Sequence, residues 1–247
     1  VNLELEPDSR PPAKLNPVQR IVGVLVAPGD TFQDIAQRPN WVLPLILAAV
    51  IATMGSFVLS SRIDYGADMR AALEKQHVPP QQIEKNVRLA TSFGKGALYV
   101  LPLLAPVGLL IMAAVLMIAF RMFGGDVSFS QAFSVFLHAW IPQLIASLIS
   151  FAVLLTRHSV TTMEAQSLIR SNLSFLVDAK AQPVLWTLLT SFDVFTFWTL
   201  FLLVVGFAAV TRFSKAKSAA IVLTVWAIGV LLKLIGPAIQ QTMGSRS

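Results

Sequence analysis

Asp193 and Lys233 stand inside long apolar runs near the C-terminus, and no other residues of this sequence demand a chemical explanation so directly. A carboxylate in a lipid-crossing helix costs at least about 2.5 kcal/mol at the bilayer centre, so it must face protein groups, water or an interface. Thr190 lies one turn before Asp193 and Thr196 almost one turn after it, which offers the acid a hydroxylic stripe. With 185–210 as a single helix, Asp193 falls about nine residues, roughly 13 Å, from its outer end and near mid-bilayer. An antiparallel following helix then brings the long stem of Lys233 within reach. Three readings stay open: a structural ion pair or hydrogen-bonded carboxylate, a proton- or ion-coupling site, and a contact to a partner helix. The ion pair expects the two side chains within about 4 Å of each other.

The other reactive residues are sparse. His138 shares an apolar stretch with Trp140 and Pro142, while His77 and His158 lie far off, so no HExxH or paired-histidine spacing exists. His138 reads as a hydrogen-bonded packing residue, with proton coupling as the alternative and metal ligation disfavoured for want of a second ligand. There is no cysteine and no Gly-x-Ser-x-Gly, which removes thiolate chemistry and the nucleophile elbow. One membrane carboxylate is not a convergent pair, so the sequence predicts no enzyme, no cofactor and no metal.

The elements that must position these residues follow from composition. Of 247 residues 55% are hydrophobic and 13% charged, far below the quarter usual in soluble domains. Nineteen basic and thirteen acidic residues leave a formal charge of +6, but no basic stripe interleaved with aromatics exists, so nucleic acid is not an expected partner. The excess charge suits membrane topology. The opening residues carry Glu4, Glu6 and Asp8 and do not read as a secretion signal.

The predicted fold is all-α: a polytopic membrane bundle with five transmembrane helices plus short interfacial helices. Residues 1–16 read as a flexible tail, 17–40 as two interfacial helices, and 41–238 as the membrane domain. Spans are expected over 41–60, 97–120, 129–155, 185–210 and 218–239, with extramembrane helical inserts at 64–95 and 156–182. Asp30 with Gln33, and Ser128 with Gln131, have capping-box spacing. Pro102, Pro106 and Pro142 are expected to kink their helices, and the carbonyls freed by the first two must be satisfied by packing or by a polar opening. Arg212, Lys215 and Lys217 form the densest positive cluster on a short turn. Placing it inside puts the N-terminus in the cytoplasm and the C-terminus outside, although Arg62 and the five Lys or Arg of the first insert then fall on the outer side.

Several motifs together resemble the bacterial branch of the Yip (YIPF) domain membrane proteins. They are Ala27-Pro28-Gly29-Asp30-Thr31-Phe32-Gln33-Asp34-Ile35 with Pro39 and Trp41; Phe123-Gly124-Gly125 with Ser128-Phe129 and Ala132-Phe133; Ile141-Pro142; Ser191-Phe192-Asp193-Val194-Phe195 with Trp198 and Gly206; and Ser214-Lys215-Ala216-Lys217-Ser218-Ala219. The resemblance implies a non-enzymatic, multi-pass protein of the cytoplasmic membrane. Eukaryotic members bind small GTPases, for which the tail here lacks a folded module, and some bacterial members look like accessory partners of ABC-type exporters. The expected function is a scaffold or accessory subunit of a membrane complex; the alternative is a small solute or ion permease coupled through Asp193. Expected partners are membrane lipids and another membrane protein, an ABC-type transporter by resemblance. Self-association through small residues such as Gly206 and Ala209 stays open.

Overall fold

In hydrocarbon a backbone amide has no partner but another backbone group, so uncharged runs of this length are helical. The computed structural model describes residues 14–165, 171–179 and 181–244. The expected tail therefore lies almost wholly outside the described residues, as does part of the second insert. The helices are α1 Pro17–Val26, α2 Pro28–Gln37, α3 Val42–Arg62, α4 Ala67–Lys75, α5 Pro80–Met122, α6 Phe129–Ala139, α7 Ile141–Leu155, α8 Thr162–Ala165, α9 Pro183–Leu189, α10 Val194–Thr211 and α11 Lys215–Gly244. Two-residue strands β1 (Ile63–Asp64) and β2 (Val160–Thr161) pair in parallel and tie the end of α3 to the segment after α7.

Among the described residues five segments are long and apolar enough to cross a membrane: Val42–Arg62, Pro102–Met122, Phe129–Leu155, Val194–Thr211 and Lys215–Ile239. Their outward faces carry exposed residues such as Met54, Phe57, Leu103, Ile111, Leu231 and Leu232. Apolar surface on that scale suits lipid rather than water. The protein is an all-α, polytopic membrane protein.

Three features differ from the sequence-based expectation. First, α5 is one helix of 43 residues that runs through Pro102 and Pro106. At 1.5 Å per residue it is about 65 Å long, so its first half projects beyond the span. Ile83 and Val87 on that half are buried, and Gly66 and Gly94 let Val87 and Tyr65 seat the α3–α4 turn closely against it. Second, 185–210 is two helices, because α9 stops at Leu189 and α10 starts at Val194. Third, the span Phe129–Leu155 keeps its expected bounds but is built of two helices that meet at Trp140; Pro142 stands in the first turn of α7, where a missing amide hydrogen costs little.

The caps explain the turns. Ser128 and Gln131 form the expected capping box, whereas Asp30 and Gln33 do not: α2 starts at Pro28 without a side-chain cap. A further box joins Asn16 and Gln19 at 2.8 and 2.9 Å. At the end of α5, Gly124 takes φ +84°, and the amides of Gly124 and Gly125 reach back to the Arg121 and Phe120 carbonyls at 2.9 Å each. This left-handed closure satisfies the last carbonyls of the helix.

The core sits at the α1–α2 end of the bundle, around α10, which packs against α2, α6, α7 and α11. Val24, Phe32 and Ile35 are fully buried there with Phe120, Val135 and Phe207. Phe120 stacks on Phe207 with centroids 4.3 Å apart. Gly206 makes the approach feasible: a Cβ there would come within 2.9 Å of the Phe32 ring.

Candidate functional site

Asp193 does not lie deep inside a span. It is the N-cap of α10, with extended backbone, and its Oδ1 accepts from the amides of Phe195 and Thr196 at 2.8 and 3.1 Å. Its Oδ2 accepts a short hydrogen bond from Ser171, and the Val194 amide donates to the Ser171 carbonyl at 3.2 Å. The carboxylate therefore closes a helix start and pins the second insert to it. The carboxylate is hydrogen-bonded, and among the described residues it makes no ion pair with Lys233.

Lys233 has a different partner. Its Nζ donates to Thr190 Oγ1 at 2.8 Å, and no acid pairs with it among the described residues. The α9–α10 break explains the separation, because it carries Asp193 toward Ser171 and leaves Thr190 facing α11. The structure thus splits the expected polar site into two neighbouring clefts. A polar one of about 270 Å³ is lined by Asp193, Ser171, Asn172, Ser147 and Ser150. A mainly apolar one of about 340 Å³ opens between α5, α6, α7, α10 and α11, with Lys233 at its rim. Gln143, Thr190 and Thr196 line both. Gln143 Nε2 donates to Thr196 Oγ1 at 3.4 Å, across the shared wall.

His138 is far from this chemistry, buried in α6 with Nδ1 2.8 Å from the Ser134 carbonyl. A carbonyl only accepts, so the proton is on Nδ1. Among the described residues no group of three or more His, Cys, Asp or Glu could hold a metal.

The strongest electrostatic feature was not singled out from sequence. Arg20 and Asp34 are buried, with Nε and Nη2 of Arg20 at 2.7 and 2.6 Å from Asp34 Oδ2. Arg38 closes the other side of the carboxylate through a short contact, and Arg20 Nη1 donates to the Arg38 carbonyl at 2.9 Å. Gln131 of α6 adds a hydrogen bond to the Ala36 carbonyl at 2.9 Å. The α1–α2 hairpin is thereby clamped shut and fastened to the bundle. The i,i+4 spacing of Asp34 and Arg38 was the available signal; Arg20, on a different helix, could not be assigned to it by spacing.

Of the positive residues on the α10–α11 turn, Arg212 ends α10 in the left-handed region and Lys215 is exposed. Lys217 Nζ donates to the Phe123 carbonyl at 2.9 Å and lies 3.6 Å from the Phe213 ring centroid. It locks the α5–α6 and α10–α11 turns together.

A family model described as the Yip1 domain matches residues 22–235. The curated protein "Membrane protein YknW" of Bacillus subtilis (strain 168) is 24% identical over 225 residues, covering 91% of this chain and 93% of its own length. No solved structure matches.

Proposed function

Because the chain belongs to the Yip1-domain family, we propose that it is a non-catalytic accessory or scaffold subunit of a membrane complex, with an ABC-type exporter as the finer assignment of its partner. The observation that carries this reading is how the bundle spends its polar groups. Arg20, Asp34 and Arg38 clamp a hairpin, Asp193 caps a helix, and Lys217 joins two turns. A scaffold needs such rigid ends. A docking face for another span is offered between α3, α5 and α7, where Ala52, Ser56 and Ala105 line an apolar groove of about 360 Å³. Small residues allow helices to approach closely in lipid, where packing replaces the hydrophobic effect as the driving force.

The permease alternative draws support from the polar cleft at Asp193. Against it stands the aromatic packing of Phe32, Phe120 and Phe207 at the opposite end of the bundle. The proposed orientation puts the α1–α2 end in the cytoplasm and α4, α9 and the C-terminus outside, in the cytoplasmic membrane.

The test is photocrosslinking in cells from a reactive amino acid placed at Ala52 or Ala105, with the crosslinked protein identified by mass spectrometry. The spanning subunit of a transporter is the expected product. Recovery of the chain alone, together with ligand-dependent flux in liposomes that Asp193→Asn abolishes, would establish the permease instead.

A further inference from the structure

We propose that the lateral cavity between α5, α6, α7, α10 and α11 holds one acyl chain of an anionic phospholipid, with the lipid phosphate at Lys233 and Thr190. This goes beyond the accessory reading and does not depend on it. The argument begins with an unmet charge: Lys233 lies inside the span Lys215–Ile239, and among the described residues its one hydrogen-bond partner is the Thr190 hydroxyl. An ammonium group at that depth calls for an anion, and the protein supplies none to it among the described residues. Asp193, the nearest acid along the chain, lines the adjoining cleft and is already held by two amides and Ser171.

Shape points the same way. On α11 the cavity wall runs from Val222 to Lys233, about 16 Å at 1.5 Å per residue, which matches one leaflet of a hydrocarbon core of roughly 30 Å. Below Lys233 the wall is apolar, with Met112, Leu116, Leu203 and Val230. Gln143 and Thr196 line the cavity with Thr190, and Thr199, one turn deeper on α10, has its Oγ1 buried without a protein partner among the described residues. A charged, hydroxylic rim over an apolar slot of about 340 Å³ fits one chain and a phosphate rather than a whole lipid or a hydrophilic solute. Gly229 leaves the slot open: a Cβ at that position meets nothing within 4 Å.

Native mass spectrometry of the full-length chain in mild detergent tests this, using phosphatidylglycerol and phosphatidylethanolamine of identical acyl composition. The wild type is expected to retain phosphatidylglycerol over phosphatidylethanolamine by roughly five- to tenfold. Lys233→Gln should erase that preference, Lys233→Arg should keep it, and Lys95→Gln, at the projecting half of α5, should not alter it. Gly229→Leu fills the slot and favours the helix, so it should fold and release the lipid. Equal retention of the two lipids by wild type overturns the proposal. So does undiminished retention in Gly229→Leu, which would mean Lys233 only reaches to a headgroup of the surrounding bilayer. Displacement by equimolar glycerol 3-phosphate would likewise overturn it, since the chain would then contribute nothing. Should Lys233→Gln not fold, Thr190→Val and Gly229→Leu decide the matter by the same measurement.

Discussion

At the scale of single residues, the charges most worth mutating are the ones that hold elements rather than the ones that look reactive. Asp34→Asn keeps the shape of the clamp but leaves the Arg20 guanidinium, only 4% exposed, without its counter-charge. Breaking a buried pair from one side costs about 3–5 kcal/mol, and a clear fall in the thermal unfolding midpoint in detergent is expected. A midpoint equal to wild type would show that water enters the clamp and that the pair carries no structural weight. Asp193 allows a sharper comparison. As an N-cap, Asp193→Ala should lose about 1 kcal/mol while Asp193→Asn, which still accepts from the Phe195 and Thr196 amides, should lose only a few tenths. If instead Asn is as damaging as Ala, the charge itself matters. The sequence made Asp193 conspicuous but misplaced it, because an acid in an apolar run looks the same whether it sits inside a helix or starts one. The Ser171 contact, 22 positions away, is what distinguishes the two cases.

At the scale of elements, the number of spans was legible, because hydrocarbon thickness sets a minimum apolar length and the described residues meet it five times. Their joints were less so. Residues 80–95 are polar enough to read as part of a separate insert, yet Pro79 and Pro80 start a helix and nothing between them and Met122 stops it. Neither Pro102 nor Pro106 ends α5, since a neighbouring helix can hold a proline-containing helix in register. The packing of α2 on α10 left only an indirect trace in sequence, a glycine at 206 and a phenylalanine at 32. That contact is testable in a chain with no native cysteine. Ile35→Cys should resist maleimide in the wild-type background, where Ile35 is fully buried. Adding Gly206→Val forces a side chain against Val135 and Phe32, an overpacking worth about 1–3 kcal/mol. The cysteine should then become labelled as α2 lifts; continued protection would mean that the bundle absorbs the methyl groups and that α2 is held chiefly by Gln131 and the ion-pair clamp.

At the scale of the whole molecule, five spans place the two ends of the membrane domain on opposite faces, and the remaining question is which face is which. Two short turns lie at the α1–α2 end, one with Arg121 and the other with Arg212, Lys215 and Lys217. Short loops are where positive charge steers insertion, so they argue for a cytoplasmic position. The opposing charges on 64–95 are carried mainly by α4 and the projecting half of α5, with Arg70 paired to Glu84 at 3.0 Å. Pairing does not cancel a rule that counts cations, so these charges pull against the short turns. The single-cysteine variants Gln82→Cys and Ser214→Cys separate the two orientations, both positions being exposed and at opposite ends of the bundle. With a membrane-impermeant maleimide, intact cells should label Gln82→Cys at once and Ser214→Cys only after permeabilisation. The reverse pattern would turn the clamped α1–α2 hairpin outward, move the rim of the Lys233 cavity to the inner leaflet, and require any partner of the hairpin to be extracytoplasmic.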